Sequence, residues 1–349
     1  MNPKPLTSIS SLGEFGLIDR LTKEIKIKNP STLKGVGDDA AVIDNGGLQT
    51  IITKDLLVED VHFDMVYTPL KHLGYKAIVV NLSDIYAMNA QPKQVIVGLA
   101  VSTRYSLEAL EELYAGMLLA CEKYKVDLVG GDTTASPAGM TLSITAIGQA
   151  DKEKIVYRSG AKDNDILFAS GSLGAAYCGL LVLKREKQVY KANPDMQPDI
   201  NEYAWLLERQ LKPEARGDII ELLAKAGVQP TAMIDISDGL ASEVLHICKQ
   251  SKVGAIIYEE KIPVDRRMAA AAHEFKIDPT TCALSGGEDY ELLFTISPKD
   301  YDKVKSIAAI HPIGHIVDSS QGGNLFTSSG QLVKLTAQGW DALKSKEQS

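Results

Sequence analysis

Six short segments of this chain place a carboxylate beside Gly, Ser or Thr, and this recurrence constrains the fold more than any other feature. The segments are Gly37–Asp39, Thr53–Asp55, Ser83–Asp84, Gly130–Asp132, Asp235–Gly239 and Ser285–Asp289. One such segment is ordinary turn chemistry, but six of them indicate a fold that gathers acidic side chains at one place. Because carboxylates repel each other, a gathered set requires cations, and magnesium with polyphosphate is the commonest reason to build one.

Length and composition predict a two-domain globular protein. The chain has 349 residues, of which 45% are hydrophobic and 23% charged, the usual mix for such proteins. A polar stretch near residues 150–160 interrupts the apolar pattern. We therefore place the domain boundary there and expect domains at residues 1–150 and 151–349.

Hydrophobic periodicity predicts strands that alternate with helices in both halves, which favours an α+β fold of α/β type. The expected helices are 71–89, 106–124 and 238–250. The expected strands are 48–53, 94–101, 126–129, 140–148, 165–170, 231–236, 254–259 and 290–297. Residues 184–201 are polar and contain two prolines, so we expect a surface excursion there.

Charge and cysteine content limit the partners and the compartment. The net charge is −8, and without a basic stripe this argues against nucleic acid as a partner. We find neither a membrane-spanning apolar run nor a signal peptide. The four cysteines are scattered, which is typical of a reduced cytoplasmic protein with buried thiols.

Asp84 is the most diagnostic single residue. It lies on a predicted helix whose neighbours are apolar, such as Val80, Leu82 and Ile85, and burying an unpaired carboxylate is costly. Asp84 therefore either caps a neighbouring turn or binds a metal ion, which would offset the cost of burial.

Other segments suggest phosphate chemistry. In Gly130–Asp132 two glycines allow close backbone approach to a phosphate, and the Asp can reach a cation. Asp235 and Asp238 flank a strand-to-helix junction at which Ser237 or Asp238 can serve as the N-cap, and the N–H groups there suit phosphate. The segment Ser170–Gly174 is a similar, weaker candidate. The chain has no G-x-x-x-x-G-K-[ST] loop, which disfavours the standard nucleotide folds.

Taken in order, eight segments resemble the thiamine-monophosphate kinase family, which belongs to the ATP-binding superfamily of aminoimidazole ribonucleotide synthetase and selenophosphate synthetase. The matching segments are Gly13–Phe15, Gly35–Ala40, Thr53–Phe63, Tyr75–Asp84, Gly130–Thr134, Arg158–Ala161, Ile234–Leu240 and Ser285–Leu292. Each segment alone is a weak signal, but the ordered set covers nearly the whole chain.

This resemblance implies ATP-dependent phosphorylation of thiamine monophosphate to thiamine diphosphate, by direct in-line transfer with several Mg²⁺ ions. It implies a homodimer in which the N-terminal sheets of two subunits form a shared barrel, with ATP in the cleft between the domains. It predicts metal ligands at Asp39, Thr53, Lys54, Asp55, Asp84, Asp132, Asp235 and Asp238, of which Asp84, Asp235 and Asp238 are taken as catalytic. It predicts ATP contacts at Gly131, Asp132, Arg158, Ser237 and Tyr114, and substrate contacts at His62, Glu288 and Trp340.

Three positions depart from the family pattern. Lys54 stands where Thr or Ser is usual, so only its backbone carbonyl is expected to contact metal. Asp60 stands where an uncharged residue is usual, before His62. The segment after Trp340 lacks the family's usual His-Phe pair.

Two other kinds of function are compatible with the acidic segments. One is another enzyme of the same superfamily, although selenophosphate synthetase usually needs an early reactive Cys and the first Cys here is Cys121. The hydrogenase-maturation dehydratase ends in a Cys-bearing tail, which this chain lacks, and the segment from Thr53 to Phe63 argues against aminoimidazole ribonucleotide synthetase. The other kind is a calcium-stabilised, non-catalytic protein, which would not require Gly131, Arg158 and His62.

Overall fold

The computed structural model describes residues 13–23, 25, 27–195 and 200–337. Within these residues the helices are α1 Gly13–Thr22, α2 Leu70–Ala87, α3 Leu107–Tyr124, α4 Ala175–Ala192, α5 Ala204–Leu211, α6 Gly217–Lys225, α7 Leu240–Ser251, α8 Arg266–Glu274, α9 Pro279–Ser285 and α10 Tyr301–Val304. No helix of the described ranges is both long enough and apolar enough to cross a bilayer.

The strands form two sheets. The first sheet has the order β1-β2-β3-β6-β4-β5, with β1 Thr32–Lys34, β2 Ala41–Ile43, β3 Gln49–Val58, β4 Gln91–Val101, β5 Asp127–Ala135 and β6 Met140–Ala150. The second has the order β13-β12-β9-β11-β7-β10-β8, with β7 Ile166–Ser170, β8 Ala232–Ile236, β9 Gly254–Tyr258, β10 Glu291–Ile296, β11 Ile310–Val317, β12 Gly323–Phe326 and β13 Leu332–Lys334.

The first sheet is covered by helices on one face. Along β6 every second residue is buried and those between are half-buried, which is the pattern of a strand with one face toward a core. The helix α2 packs on β3, β4 and β6, and α3 packs on α2. On the other face Leu56 and Ile96 are exposed, so within the part of the chain that the structure describes this face of the sheet is uncovered.

Helix α2 is the centre of the molecule. Most of its sequence is apolar and most of its residues are buried, as expected for a helix that packs against neighbours on several sides. It contacts β3 and β6 of the first sheet and β8 of the second. One hydrophobic core joins α2 and the first sheet to residues of the second sheet such as Phe168 and Phe294. Polar side chains on α2 are therefore held between the two sheets.

The structure confirms the α+β class and all three predicted helices and eight predicted strands, with ends that differ by a few residues. The segment 184–201, predicted as a surface excursion, is helical in its first half because α4 continues to Ala192, and its residues there are exposed or half-buried. The helix ends at Ala192, and its C-cap Asn193 precedes Pro194, as expected because a proline disfavours helical backbone in the preceding residue. Sequence reasoning missed several elements, namely α1, α4, α5, α6, α8, α9, α10, β1, β2, β11, β12 and β13.

Candidate active site

Three carboxylates that are far apart in the sequence meet between the two sheets. One oxygen each from Asp39, Asp84 and Asp235 lies within 4.8 Å of the other two. Asp39 comes from the loop before β2, Asp84 from α2, and Asp235 from β8. We call these residues the three-carboxylate cluster. Because α2 lies between the sheets, it brings its own carboxylate against one from each half of the chain.

Hydroxyl groups hold two of these carboxylates in place. Thr53 on β3 donates a hydrogen bond of 2.5 Å to Asp84 Oδ2. Ser83 on α2 donates one of 2.7 Å to Asp235 Oδ2. Asn81 accepts a hydrogen bond of 3.0 Å from the backbone N–H of Asp55, which fixes β3 against α2. Asp84 itself is partly exposed, in contrast to its buried neighbours, so its carboxylate faces the site.

Burial and mutual repulsion raise the pKa values of Asp84 and Asp235. Burial is the largest cause for Asp84, whose pKa lies well above its ordinary value, and the charges of Asp55, Asp235 and Asp39 add to it. Burial and then the charge of Asp39 raise the pKa of Asp235 to about 8. Like charges this close disfavour joint ionisation, and oxygen ligands of this kind are those that Mg²⁺ takes. The residues present therefore fit a divalent cation.

Arg158 stands at the edge of the cluster. Its guanidinium donates to both oxygens of Asp39, at 3.0 and 2.8 Å, and its backbone N–H donates to Asp38 Oδ1 at 3.1 Å. Bidentate pairing of this kind suits carboxylate and phosphate equally. Arg158 thus places its guanidinium group directly beside the cluster.

Two loops of the second half pack together beside the cluster. The N–H of Glu288 donates to the carbonyl of Ser237 at 2.6 Å, and that of Tyr290 donates to Ile236 at 2.9 Å. The N-cap of α7 is Gly239, at φ +124° and with no side-chain cap bond. The prediction that Ser237 or Asp238 caps this helix is therefore wrong. Both residues lie in the loop directly after Asp235.

The N-terminus of α4 already holds a carboxylate. Asp289 accepts hydrogen bonds from the backbone N–H groups of Gly174 at 2.7 Å and Ala176 at 3.4 Å. The segment 170–174, predicted as a weaker phosphate candidate, is therefore occupied by a side chain of the same chain.

Several predicted site residues make their contacts with residues outside the cluster. Lys54 is exposed and donates to Ser143 on β6, because alternate residues of β3 face opposite sides of the sheet. Tyr114 is half-buried on α3 and packs against the core. His62 follows β3, and its Nδ1 accepts a 3.0 Å hydrogen bond from the N–H of Val58. Trp340 lies outside the described residues.

Gly131 and Asp132 lie on β5, the exposed edge strand of the first sheet. A Cβ at Gly131 would come within 1.9 Å of the Val97 carbonyl oxygen, so a glycine is required there for β5 to pair with β4. This packing role is sufficient to explain the residue without a bound phosphate. Asp132 pairs with Gly98 on β4, and the three-carboxylate cluster does not include it.

Sequence reasoning assigned no role to some residues that the structure places at the site. Ser83, Asn81 and Lys76 were signalled by being polar on an apolar helix. Gln210 on α5 contacts Glu288 and had no sequence signal. A fifth residue, Tyr290, is buried, and burial followed by the charge of Glu288 raises its pKa well above the ordinary value.

Comparison with known proteins matches this chain over most of its length. Residues 37–150 match the family described as AIR synthase related protein, N-terminal domain, and residues 164–323 match the corresponding C-terminal domain. The chain is 33% identical to the thiamine-monophosphate kinase of Bacillus subtilis, over 95% of this chain and 100% of that protein.

Solved structures agree with this match. One described as AaThiL complexed with AMPPCP and TMP is 31% identical, has a TM-score of 0.83 and covers 97% of this chain and 99% of its own. The E. coli hydrogenase maturation protein HypE has a TM-score of 0.66 at 18% identity, covering 92% of this chain and 97% of its own. That second likeness supports the shared fold alone.

Proposed function

The chain belongs to the thiamine-monophosphate kinase family of AIR synthase related proteins, and from this membership we propose how it works. It is a kinase that uses ATP to phosphorylate thiamine monophosphate to thiamine diphosphate. We propose that the γ-phosphoryl group passes directly, in line, without a phosphoenzyme. The relative solved with AMPPCP and TMP supports the choice of both substrates.

The observation that carries the proposal is the convergence of Asp39, Asp84 and Asp235 within 4.8 Å. Phosphoryl transfer requires little covalent chemistry from the protein, which mainly positions the two phosphates and neutralises their charge. Bound Mg²⁺ would supply that neutralisation. The three carboxylates would hold it, with Thr53, Asp55, Asp238 and the backbone carbonyl of Lys54 as further ligands.

The residues around the cluster take separate roles. Thr53 and Ser83 orient two carboxylates through their hydroxyl hydrogen bonds. Arg158 and Ser237 meet the phosphates of ATP, and the ion pair of Arg158 with Asp39 loosens as phosphate arrives. His62, Glu288 and Trp340 contact thiamine monophosphate.

We further propose a homodimer, formed through the uncovered face of the first sheet. Leu56 and Ile96 are exposed on this face, which suggests that another surface covers it. We propose that Gly131, Asp132 and Tyr114 contact ATP in that assembly. Gly131 and Asp132 are available for this because they lie on an exposed part of β5. A cytoplasmic location is supported by four buried, unpaired cysteines, the pattern of a reducing compartment.

An assay of purified protein with ATP, Mg²⁺ and thiamine monophosphate tests the proposal, with free thiamine as the control acceptor. We expect thiamine diphosphate to form when thiamine monophosphate is the acceptor and not when free thiamine is the acceptor. Thiamine diphosphate formed directly from thiamine would contradict the choice of acceptor. Calorimetry distinguishes the kinase from a calcium-stabilised, non-catalytic protein. The kinase should bind ATP in the presence of Mg²⁺, and Ca²⁺ alone should not support ATP binding.

A further inference from the structure

A buried lysine on α2 contacts the predicted substrate residue Glu288. Lys76 is 4% exposed, and its Nζ lies 2.8 Å from Glu288 Oε1. The same Nζ donates to the backbone carbonyl of Gln210 at 3.0 Å. A buried ammonium group requires a charged partner and further hydrogen bonds. Glu288 is therefore tied to the interior of the molecule through Lys76.

Gln210 holds the same carboxylate from α5. Its Nε2 donates to Glu288 Oε2, and because an ionised carboxylate only accepts, this contact fixes which way the amide points. The amide oxygen of Gln210 is then buried and has no hydrogen-bond partner among the residues that the structure describes. Such an arrangement is unfavourable for folding, which indicates that the orientation of Gln210 serves Glu288.

The backbone at Glu288 is constrained as well. Glu288 has φ +57°, a left-handed conformation that a non-glycine residue keeps only when its surroundings impose it. Its N–H is held by Ser237 at 2.6 Å. The side chain is nevertheless 28% exposed. The carboxylate is thus fixed on both oxygens and still open to a ligand.

Helix α2 connects this carboxylate to the three-carboxylate cluster. Lys76 and Asp84 lie on α2, and a separation of eight residues corresponds to roughly 12 Å along a helix axis. A buried helix is rigid on this scale. The position of Glu288 relative to Asp84 is therefore set by one helix.

We propose that Lys76 and Gln210 are positioning residues, which hold Glu288 for the cationic heterocyclic end of the acceptor while α2 sets its distance from the cluster. The inference rests on the proposed function, because it takes Glu288 as a contact of thiamine monophosphate, whose thiazolium ring is cationic. Neither residue needs to touch the substrate. Fixing a carboxylate before binding reduces the conformational entropy lost on binding. Loss of Lys76 or Gln210 should therefore weaken the binding of thiamine monophosphate.

Steady-state kinetics of Lys76→Met and Gln210→Met test this proposal. We expect the KM for thiamine monophosphate to rise roughly tenfold in each, since freeing one side chain costs about that much in affinity, while the KM for ATP changes less than about threefold. Lys76→Arg should recover part of the loss. The double variant Lys76→Met/Glu288→Gln should be no worse than Glu288→Gln, because Lys76 acts only through Glu288.

Lys123→Met is the matched control. Lys123 on α3 pairs with Glu214 at 2.7 Å, so the variant also loses a contact between a Lys and a Glu from different elements. Its KM values should stay at those of the wild type. Thermal unfolding of every variant shows whether it is folded. If Lys76→Met does not fold, the test relies on Gln210→Met, which removes no charge.

The outcomes separate this inference from the proposed function. Wild-type activity together with an unchanged acceptor KM in Gln210→Met and in any folded Lys76 variant would overturn the inference alone. Equal rises in the KM for thiamine monophosphate and the KM for ATP would also overturn the inference alone. So would a KM for thiamine monophosphate in Lys76→Met/Glu288→Gln that equals the product of the two single effects. A wild-type chain that neither binds nor phosphorylates thiamine monophosphate would overturn both.

Discussion

In the three-carboxylate cluster, burial and neighbouring like charges act on individual side chains and lower the stability of the fold. Burial and the charges of Asp55, Asp235 and Asp39 disfavour the ionised form of Asp84, while Thr53 supplies a hydrogen bond that favours it. Such conflicts are typical of functional sites, where activity requires buried or closely spaced charged groups that lower the stability of the fold.

The first residue-scale prediction concerns Asp84→Asn, which keeps the volume of the side chain and removes its charge. We expect phosphoryl transfer to fall by at least about 100-fold, since weaker perturbations of metal ligands already cost 10- to 100-fold. Without Mg²⁺ the free energy of unfolding should not decrease, because a source of repulsion is gone. Transfer assays and denaturant unfolding measure the two effects. Near-normal transfer with Mg²⁺ would exclude Asp84 as a metal ligand.

The second concerns Asp289, which caps α4. Burial raises its pKa from 3.8 to about 7, although the hydrogen bond from Gly174 opposes this. The folded state therefore binds a proton that the unfolded state has lost, and stability from this group declines as the pH rises through that window. Relative to Asp289→Asn, the free energy of unfolding of the wild type should fall by about 2 kcal/mol from pH 5 to pH 7. Parallel unfolding curves for the two proteins would contradict this.

At the scale of elements, the crossing of α2 and α3 determines where the site residues stand. Each helix has a glycine where it contacts the other. A Cβ at Gly74 on α2 would lie 1.9 Å from the Leu113 carbonyl oxygen, and a Cβ at Gly116 on α3 would lie 1.8 Å from the Lys71 carbonyl oxygen. The two backbones are thus in close contact. This closeness fixes α2, and with it Asp84, against the first sheet.

Gly74→Ala should therefore force the two helices apart. We expect a loss of about 1–3 kcal/mol in the free energy of unfolding, the usual range for overpacking, together with slower transfer because α2 carries Asp84. Gly47→Ala is the control, since an added Cβ there meets no atom of the described residues within 4 Å. Chemical denaturation of both variants checks the prediction. Equal stability of the two would show that the crossing tolerates a methyl group.

Periodic elements were predictable, and irregular ones were not. The helix at 106–124 has an apolar stripe that specifies it locally, and the structure has Leu107–Tyr124. The second half of α4 is polar, and its sequence predicts a surface excursion. It is helical because its first half is anchored by buried Ala175 and Cys178, a tertiary contact that local propensity does not contain.

At the scale of the whole molecule, the uncovered face of the first sheet is the surface to test. A charge placed there should leave the single chain folded, because Leu56 is 52% exposed. In the proposed dimer Leu56→Glu would bury an unpaired carboxylate at a cost of about 3 kcal/mol, or roughly a 100-fold weaker dimer.

Sedimentation equilibrium of Leu56→Glu and of a control, Leu332→Glu, measures this effect. Leu332 is 55% exposed on β13, at the far edge of the second sheet, so its substitution should leave association unchanged. An unchanged dimer in Leu56→Glu, or a monomeric wild type, would rule out this face as the interface.

The sequence by itself determined the α+β class, the main helices and strands, and the residue types of the site, because short motifs and periodicity are local properties. Asp39, Asp84 and Asp235 each lie in one of the six acidic segments, and the family resemblance predicts all three as metal ligands. Only the tertiary structure decided that these three meet, that Lys54 faces away, and that Lys76 and Gln210 hold Glu288. Those facts depend on how α2 lies between two sheets, and that packing is set by contacts between residues far apart in the chain. The six acidic segments specify what the site is made of, and the buried helix specifies where it is.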